Sequence, residues 1–346
     1  SMLMNTTIWS TLVLSLTTST IITMSSNHWL LAWLGLELNT LSILPIIMKS
    51  HHPRATEATT KYFLVQATAA TMILMASIMT AWKTGQWSIQ HATPTTTLLT
   101  TTAIMLKLGI TPLHLWYPQV LQGVTMNTAL MISTWQKIAP LTLLYMTHHN
   151  LNTKTLLLLG LASALVGGLS GLNQTQVRTI MAFSSIAHMG WLITAMALNP
   201  SLTTLTMMTY LIMTIATFKP LSTAKTMLDV GTAWPLSPTT LTTTMMTLMS
   251  LGGLPPLTGF MPKWLILKEL SSAGLTTIAT LILMTSLPSL FFYVRLAYLT
   301  SLTTPPSTTN TTHKWRMTLN HQPHMAQTII MTTLMLPLTT TLYTTA

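Results

Sequence analysis

The sequence predicts an all-α integral membrane protein of about eleven transmembrane helices, and three observations carry that prediction. Only 5% of the 346 residues are charged and 49% are hydrophobic, whereas soluble domains carry about 25% charged residues. The mean hydropathy is +0.54. Apolar windows of about 20 residues, the length that crosses a hydrocarbon core, recur along the whole chain.

The windows lie near 4–24, 29–48, 61–81, 96–123, 126–146, 154–172, 179–198, 202–218, 236–270, 275–299 and 327–343. An odd number puts the termini on opposite sides. The first window, Met4 to Met24, lacks a basic segment before it and a small-residue cleavage site after it, so it is expected to stay as a span. Threonine dilutes many windows, and its hydroxyl can bond back to the helix backbone, which makes it tolerable in lipid.

Two windows are too long for one straight helix, and both are interrupted midway. One contains Lys107-Leu-Gly-Ile-Thr-Pro-Leu-His-Leu-Trp116, the other Gly252-Gly-Leu-Pro-Pro-Leu-Thr-Gly-Phe-Met-Pro-Lys263. Proline removes a helical donor and glycine loosens the backbone, so each is expected to be a broken helix with free peptide groups at membrane depth. Gly109-Ile-Thr-Pro112-Leu113 matches Gly253-Leu-Pro-Pro256-Leu257, five helices further on. An odd offset inverts topology, and paired broken helices in inverted repeats are a transporter pattern. The expected architecture is a single membrane domain with two inverted five-helix repeats, about 1–150 and 151–299. A loop and a C-terminal helix, 300–346, complete it. Lys49, Arg54, Lys61, Arg178, Lys219, Lys225, Arg295, Lys314 and Arg316 fall on one side and Lys83, Lys154 and Lys268 on the other, which orients the N-terminus towards the inner compartment.

The net charge of +11 comes from having only 4 acidic residues rather than from basic clusters, which excludes a nucleic-acid surface. There is no cysteine, so disulfides and cysteine-ligated iron–sulfur or zinc sites are excluded. The sequence has no phosphate loop, dinucleotide fingerprint or nucleophile–base motif, and the Thr- and Pro-rich stretch 300–326 reads as a loop without chemistry.

Against this background Glu37, Lys107, Lys137 and Lys263 stand out, because all four sit inside apolar windows. A charge at the bilayer centre costs roughly 2.5–3.5 kcal/mol, so four together amount to about 10 kcal/mol, comparable to the stability of a domain. Desolvation disfavours the ammonium form, so a buried lysine can exchange a proton, as a relay requires. The plainer alternative is snorkelling. It suits Lys49, Lys61, Lys154 and Lys219, whereas Lys107 and Lys137 lie too deep. Glu37 must be neutral or paired, most economically with one of the buried lysines; a protonated glutamate bonded to a hydroxyl is the alternative. His114 and His188 are the histidines inside spans, and imidazole can both donate and accept in a water-borne relay. A bis-histidine haem site would need facing pairs. His51-His52 and His148-His149 read as interfacial. Glu57, Asp229 and Glu269 read as local charge balance, and Trp29, Trp82, Trp87 and Trp116 as an aromatic belt.

Several segments extend this reading: Ser26-Asn-His-Trp29, Trp33-Leu-Gly-Leu-Glu-Leu-Asn-Thr40, Ser50-His-His-Pro-Arg54, Lys61-Tyr-Phe-Leu-Val-Gln66, Lys107 to Pro118, Trp135-Gln-Lys-Ile-Ala-Pro140, Phe183-Ser-Ser-Ile-Ala-His-Met-Gly190 and Leu254 to Glu269. In this order they resemble the mitochondrial NADH dehydrogenase subunit 2 family, antiporter-like membrane subunits of respiratory complex I. The abundance of Met and Thr is also similar to that of vertebrate mitochondrially encoded proteins. The resemblance implies a proton-translocating channel of the mitochondrial inner membrane with a charged central axis. It implies that Glu37 pairs with Lys107, that Lys137 connects two half-channels, that Lys263 faces the next subunit, and that His114 and His188 support the hydrated path. It further implies an antiporter-like subunit 4 on one side, small quinone-proximal subunits on the other, and surrounding lipid. NADH, FMN, iron–sulfur clusters and ubiquinone would belong to partner subunits, with no cofactor or metal in this chain. Larger antiporter-like members begin with three further helices, whereas this chain starts with the helix before Glu37. The expectation is that the repeats are intact and that sealing at one flank differs. A stand-alone cation/proton antiporter subunit and a non-pumping scaffold of the membrane arm are the competing readings, with a haem or quinone redox protein more distant.

Overall fold

The computed structural model describes residues 6–48, 52–224, 226–232, 238–302 and 325–345. The helices, in order, are α1 Thr6–Ser25, α2 Trp29–Met48, α3 Pro53–Thr84, α4 Pro94–Leu108, α5 Trp116–Gly123, α6 Met126–Ser133, α7 Trp135–Met146, α8 Thr153–Gly171, α9 Val177–Leu198, α10 Pro200–Phe218, α11 Met227–Thr232, α12 Pro238–Gly252, α13 Phe260–Ser272, α14 Thr276–Leu302, α15 Met325–Leu334 and α16 Thr339–Thr345. Among the described residues extended pairing is limited to two isolated bridges, His28 with Ser88 and Gln176 with Thr226.

α1, α2, α3, α8, α9, α10 and α14 are each long and apolar enough to cross a membrane unbroken. The remaining four predicted windows hold shorter helices. Two of the interruptions, between α4 and α5 and between α12 and α13, are the ones glycine and proline announced. The other two were expected as continuous helices. α6 and α7 part at Thr134, with φ −110° and ψ −73°, where the backbone N–H and the hydroxyl both donate to Leu130 O, at 3.0 and 2.7 Å. α15 and α16 are joined by a 3-10 turn, Leu336–Leu338, which has Pro337 in its first positions. α3 begins at Pro53 rather than 61. His52 Nδ1 accepts from Arg54 N at 3.2 Å, Pro53 needs no donor at that position, and Gly85 at φ +71° closes the far end.

The chain divides into two compact units, residues 1–159 and 160–346. In the first, α1 packs on α2, α2 on α3, and α3 on α4 and α5, while α7 lies against α4, α1 and α2. In the second, α9 packs on α10, α12 on α14, and α10 on α12, α13 and α15. Small residues set the closest approaches. A Cβ added at Gly190 would stand 2.6 Å from Gly160 O and 2.6 Å from Ala164 N, so α8 and α9 meet backbone to backbone. The threonines bond back as expected, for example Thr100 to Thr97 O at 3.0 Å and Thr247 to Thr244 O at 3.0 Å.

Several surface expectations need correction. Trp29 is buried, and so is Trp116, so neither belongs to an aromatic belt; Trp82 is 89% exposed. Trp87 stacks on His28, with ring centroids 5.8 Å apart. Glu57 does pair with Lys61, at 2.6 Å. Asp229 Oδ2 accepts from Thr226 N, and Asp229 N donates to Thr226 Oγ1, a capping arrangement for α11. Glu269 accepts from Tyr343 Oη at 2.8 Å, which ties α16 to α13. Lys49, His51, Lys225, Lys314, Arg316 and most of the 300–326 loop lie outside the described residues.

Candidate functional site: two lysine cavities at broken helices

Both breaks are built the same way. α4 ends at Gly109, φ +70°, where Gly109 N donates to Leu106 O at 3.3 Å and Ile110 N to Met105 O at 3.0 Å. α12 ends at Gly253, φ +79°, where Gly253 N donates to Ser250 O at 3.0 Å and Leu254 N to Met249 O at 3.4 Å. These are the two hydrogen bonds of a glycine-terminated C-cap, and the left-handed backbone is why glycine stands there. A proline-bearing turn follows each, closed by Leu113 N to Ile110 O and by Leu257 N to Leu254 O, both at 2.9 Å. Each break leaves the last carbonyls of its first half-helix without helical donors.

In the first unit those carbonyls are met by side chains. Trp116 Nε1 donates to Leu106 O at 3.1 Å, and Gln66 Nε2 donates to Lys107 O at 3.4 Å. Lys107, 5% exposed on the last turn of α4, and Lys137, 3% exposed on α7, line one cavity of about 10 Å³. Tyr62, Gln66, Trp116, Tyr117 and Gln136 complete its walls. Lys107 Nζ is buried with no hydrogen-bond partner. Lys137 Nζ lies 4.9 Å from the Tyr117 ring centroid, within cation–π range. Tyr62 Oη donates to Gln136 Oε1 at 3.2 Å, and Gln136 Nε2 donates to Asn39 Oδ1 at 3.0 Å. These bonds fasten α2, α3 and α7 together around the cavity.

Glu37 is half-buried on α2, with Oε2 buried and without a hydrogen-bond partner. It forms no ion pair with Lys107 within 4.0 Å. His114 sits in the linker of the break, half-buried, and does not line the lysine cavity.

In the second unit Lys263, on the first turn of α13, reaches back across the break and donates to Gly252 O at 2.8 Å. The ammonium also lies 5.9 Å from the Trp191 ring centroid. A cavity of about 20 Å³, room for a water molecule, is lined by Lys263, His188, Trp191, Thr206, Thr209 and Tyr210 among others. His188 and Lys263 are thus brought together. Tyr293 Oη stands 3.5 Å from His188 Nε2, and the Tyr210 ring packs on the imidazole at 5.8 Å. Sequence reasoning did not single out Asn39, Tyr62, Gln66, Gln136, Tyr210 or Tyr293. Amide side chains inside apolar windows were the available signal for the first unit.

Residues 26–289 match the family described as NADH:quinone oxidoreductase/Mrp antiporter, transmembrane, and residues 290–343 match the C-terminus of NADH dehydrogenase subunit 2. The NADH-ubiquinone oxidoreductase chain 2 of Gallus gallus is 53% identical over 327 residues, covering 93% of this chain and 94% of that one. The chain belongs to the NADH dehydrogenase subunit 2 family. The chain 2 protein of Aquarana catesbeiana is 48% identical over 332 residues, 95% of this chain and 96% of its own length. Among solved structures, a chain of respiratory complex I from Thermus thermophilus with bound aureothin is similar at a TM-score of 0.80 and 25% identity, over 96% of this chain and 76% of that chain. A chain of the Mrp complex from Dietzia sp. shares the fold at a TM-score of 0.75 and 18% identity, over 82% of this chain and 59% of that chain.

Proposed function

We propose that this chain is a proton-translocating membrane-arm subunit of NADH-ubiquinone oxidoreductase. In this reading its breaks hold lysine proton carriers: Lys107 with Lys137 in one unit, and Lys263 with His188 in the other. The observation that carries the reading is Lys107 Nζ, buried beside a second buried lysine and without a hydrogen-bond partner. A buried amine without a fixed partner is one that a change in nearby charge can load or unload. In this reading Glu37, which forms no ion pair with Lys107, supplies that change. His114 lies one linker away and supports access to the break. Moving a proton against 100 mV takes about 2.3 kcal/mol, a scale that a shifted carboxylate in a low-dielectric interior reaches.

The redox chemistry belongs to partner subunits that carry NADH, FMN, iron–sulfur clusters and ubiquinone. The donor chemistry of this chain fits no iron–sulfur cluster, because the sequence has no cysteine. The described residues also bring no three His, Cys, Asp or Glu side chains together. The names of the relatives support a place among the membrane subunits of complex I; in this reading its neighbours are an antiporter-like subunit 4 and small quinone-proximal subunits, and its membrane is the mitochondrial inner membrane.

The test is proton translocation per electron in vesicles holding the assembled complex with Lys107→Met. A lower ratio with normal assembly supports the carrier role. An unchanged ratio leaves a scaffold whose lysines are structural, and sodium-dependent transport would favour a cation/proton antiporter.

A further inference from the structure

Three buried polar side chains stand in line across three helices of the first unit. Tyr62 of α3 donates to Gln136 of α7, and Gln136 donates to Asn39 of α2, at 3.2 and 3.0 Å. Their exposures are 2%, 9% and 3%. One end of the line, Tyr62 with Gln136, forms part of the wall shared by Lys107 and Lys137.

An amide has a donor at one tip and an acceptor at the other, and a phenol hydroxyl does both. The line therefore has two self-consistent directions on one heavy-atom frame. In the direction described, the Tyr62 hydrogen is committed to Gln136, so the cavity meets oxygen lone pairs, which suit an ammonium. With both amides turned over, Gln136 Nε2 donates to Tyr62 Oη and Asn39 Nδ2 donates to Gln136 Oε1. The Tyr62 hydrogen then points to the cavity, where it suits a neutral amine. The cavity of about 10 Å³ has space for about one water between hydroxyl and amine.

We propose that Asn39, Gln136 and Tyr62 are positioning residues for proton transfer at Lys107 and Lys137, forming a hydrogen-bond chain that reverses direction with the charge on those lysines. The inference rests on the carrier role proposed above. No proton passes through the amides. The phenol keeps its hydrogen in both directions; the proton moves between an amine and a water in the cavity, while the amides rotate by half a turn to keep every donor facing an acceptor. Mutual polarisation along the line makes the three reversals cooperative. The titratable groups that line the same cavity are Lys107 from α4, Lys137 from α7 and Tyr117 from α5.

The test is infrared difference spectroscopy of the assembled complex carrying isotope-labelled glutamine side-chain carbonyls, between acidic and alkaline buffer. The expected result is a shifted amide carbonyl band that is lost in Gln136→Met and lost in the Lys107→Met, Lys137→Met double variant. Asn39→Leu, which can neither donate nor accept and is of similar size, is expected to assemble, to freeze the band, and to lower protons per electron as far as Lys137→Met does. A band that persists in Gln136→Met, or native pumping in both Gln136→Met and Asn39→Leu, overturns the inference. If the lysine variants lose pumping while the native complex shows no amide shift, this inference alone falls. If the lysine variants pump normally, the carrier reading falls and takes this one with it.

Discussion

The two breaks turn the chain with the same backbone hydrogen bonds and differ in where each places its lysine. Lys107 sits before its glycine, in the first half-helix, and its ammonium has no hydrogen-bond partner. Lys263 sits after the break, in the second half-helix, and its ammonium is held by Gly252 O. In the first unit Trp116 and Gln66 donate to Leu106 O and Lys107 O, neither of which is the counterpart of Gly252 O. At the position in the second break that corresponds to Trp116 stands Phe260, whose side chain has no N–H to give. One backbone design thus yields a loose amine in one unit and a fastened amine in the other. The two units also share a bridge at matching places, His28 with Ser88 and Gln176 with Thr226, so the difference lies in side chains.

The largest test of this contrast removes each amine. Lys263→Met strips Gly252 O of its partner and is expected to destabilise by about 1–3 kcal/mol. Lys107→Met removes an unpartnered buried polar group and is expected to leave stability unchanged or slightly higher. Thermal unfolding of the assembled complex decides, and equal losses at the two sites would erase the distinction. Both variants are expected to lower protons per electron.

The glycines come next. An alanine at either position meets a left-handed backbone, which costs roughly 1–2 kcal/mol. At Gly253 the new methyl would also stand 2.9 Å from Lys263 Nζ, against 3.1 Å from Tyr117 Cβ at Gly109. Gly253→Ala should therefore push the amine off Gly252 O and lower pumping on top of the strain; pumping measured beside thermal stability separates the two effects.

Trp116→Phe makes the first break resemble the second and is expected to cost about 1 kcal/mol through the loss of the Leu106 O bond. Chemical denaturation of the purified complex would detect it. Lys61→Ala is the smallest change. It breaks an exposed ion pair with Glu57, and the melting temperature is expected not to move. A clear drop would mean that the start of α3 matters to the first unit more than its exposure suggests.

Much of this was legible in the residues. Hydropathy located the seven helices long and apolar enough to cross a membrane, because a helix in lipid must be apolar along about 20 residues. Gly109 with Pro112, and Gly253 with Pro256, announced the breaks, because these residue types change the backbone itself. Lys107, Lys137, Lys263 and Glu37 were conspicuous because charge in lipid is costly. The interruption at Thr134 was not legible, since threonine occurs throughout these helices and bonds back without breaking most of them. Nor was the burial of Trp29 and Trp116, since an indole near a span end suits an interface equally well by composition.

The sequence alone determined an all-helical membrane body, its paired breaks and its buried charges, because each follows from local solvation or local backbone freedom. Tertiary structure decided that Lys107 and Lys137 share a cavity while Glu37 stays out of ion-pair contact. It also decided that Lys263 is tied to Gly252 O, and that Tyr62, Gln136 and Asn39 meet in line. Such contacts join residues far apart in the chain, and the rotation of each helix about its axis is set by packing against its neighbours, which no single segment encodes.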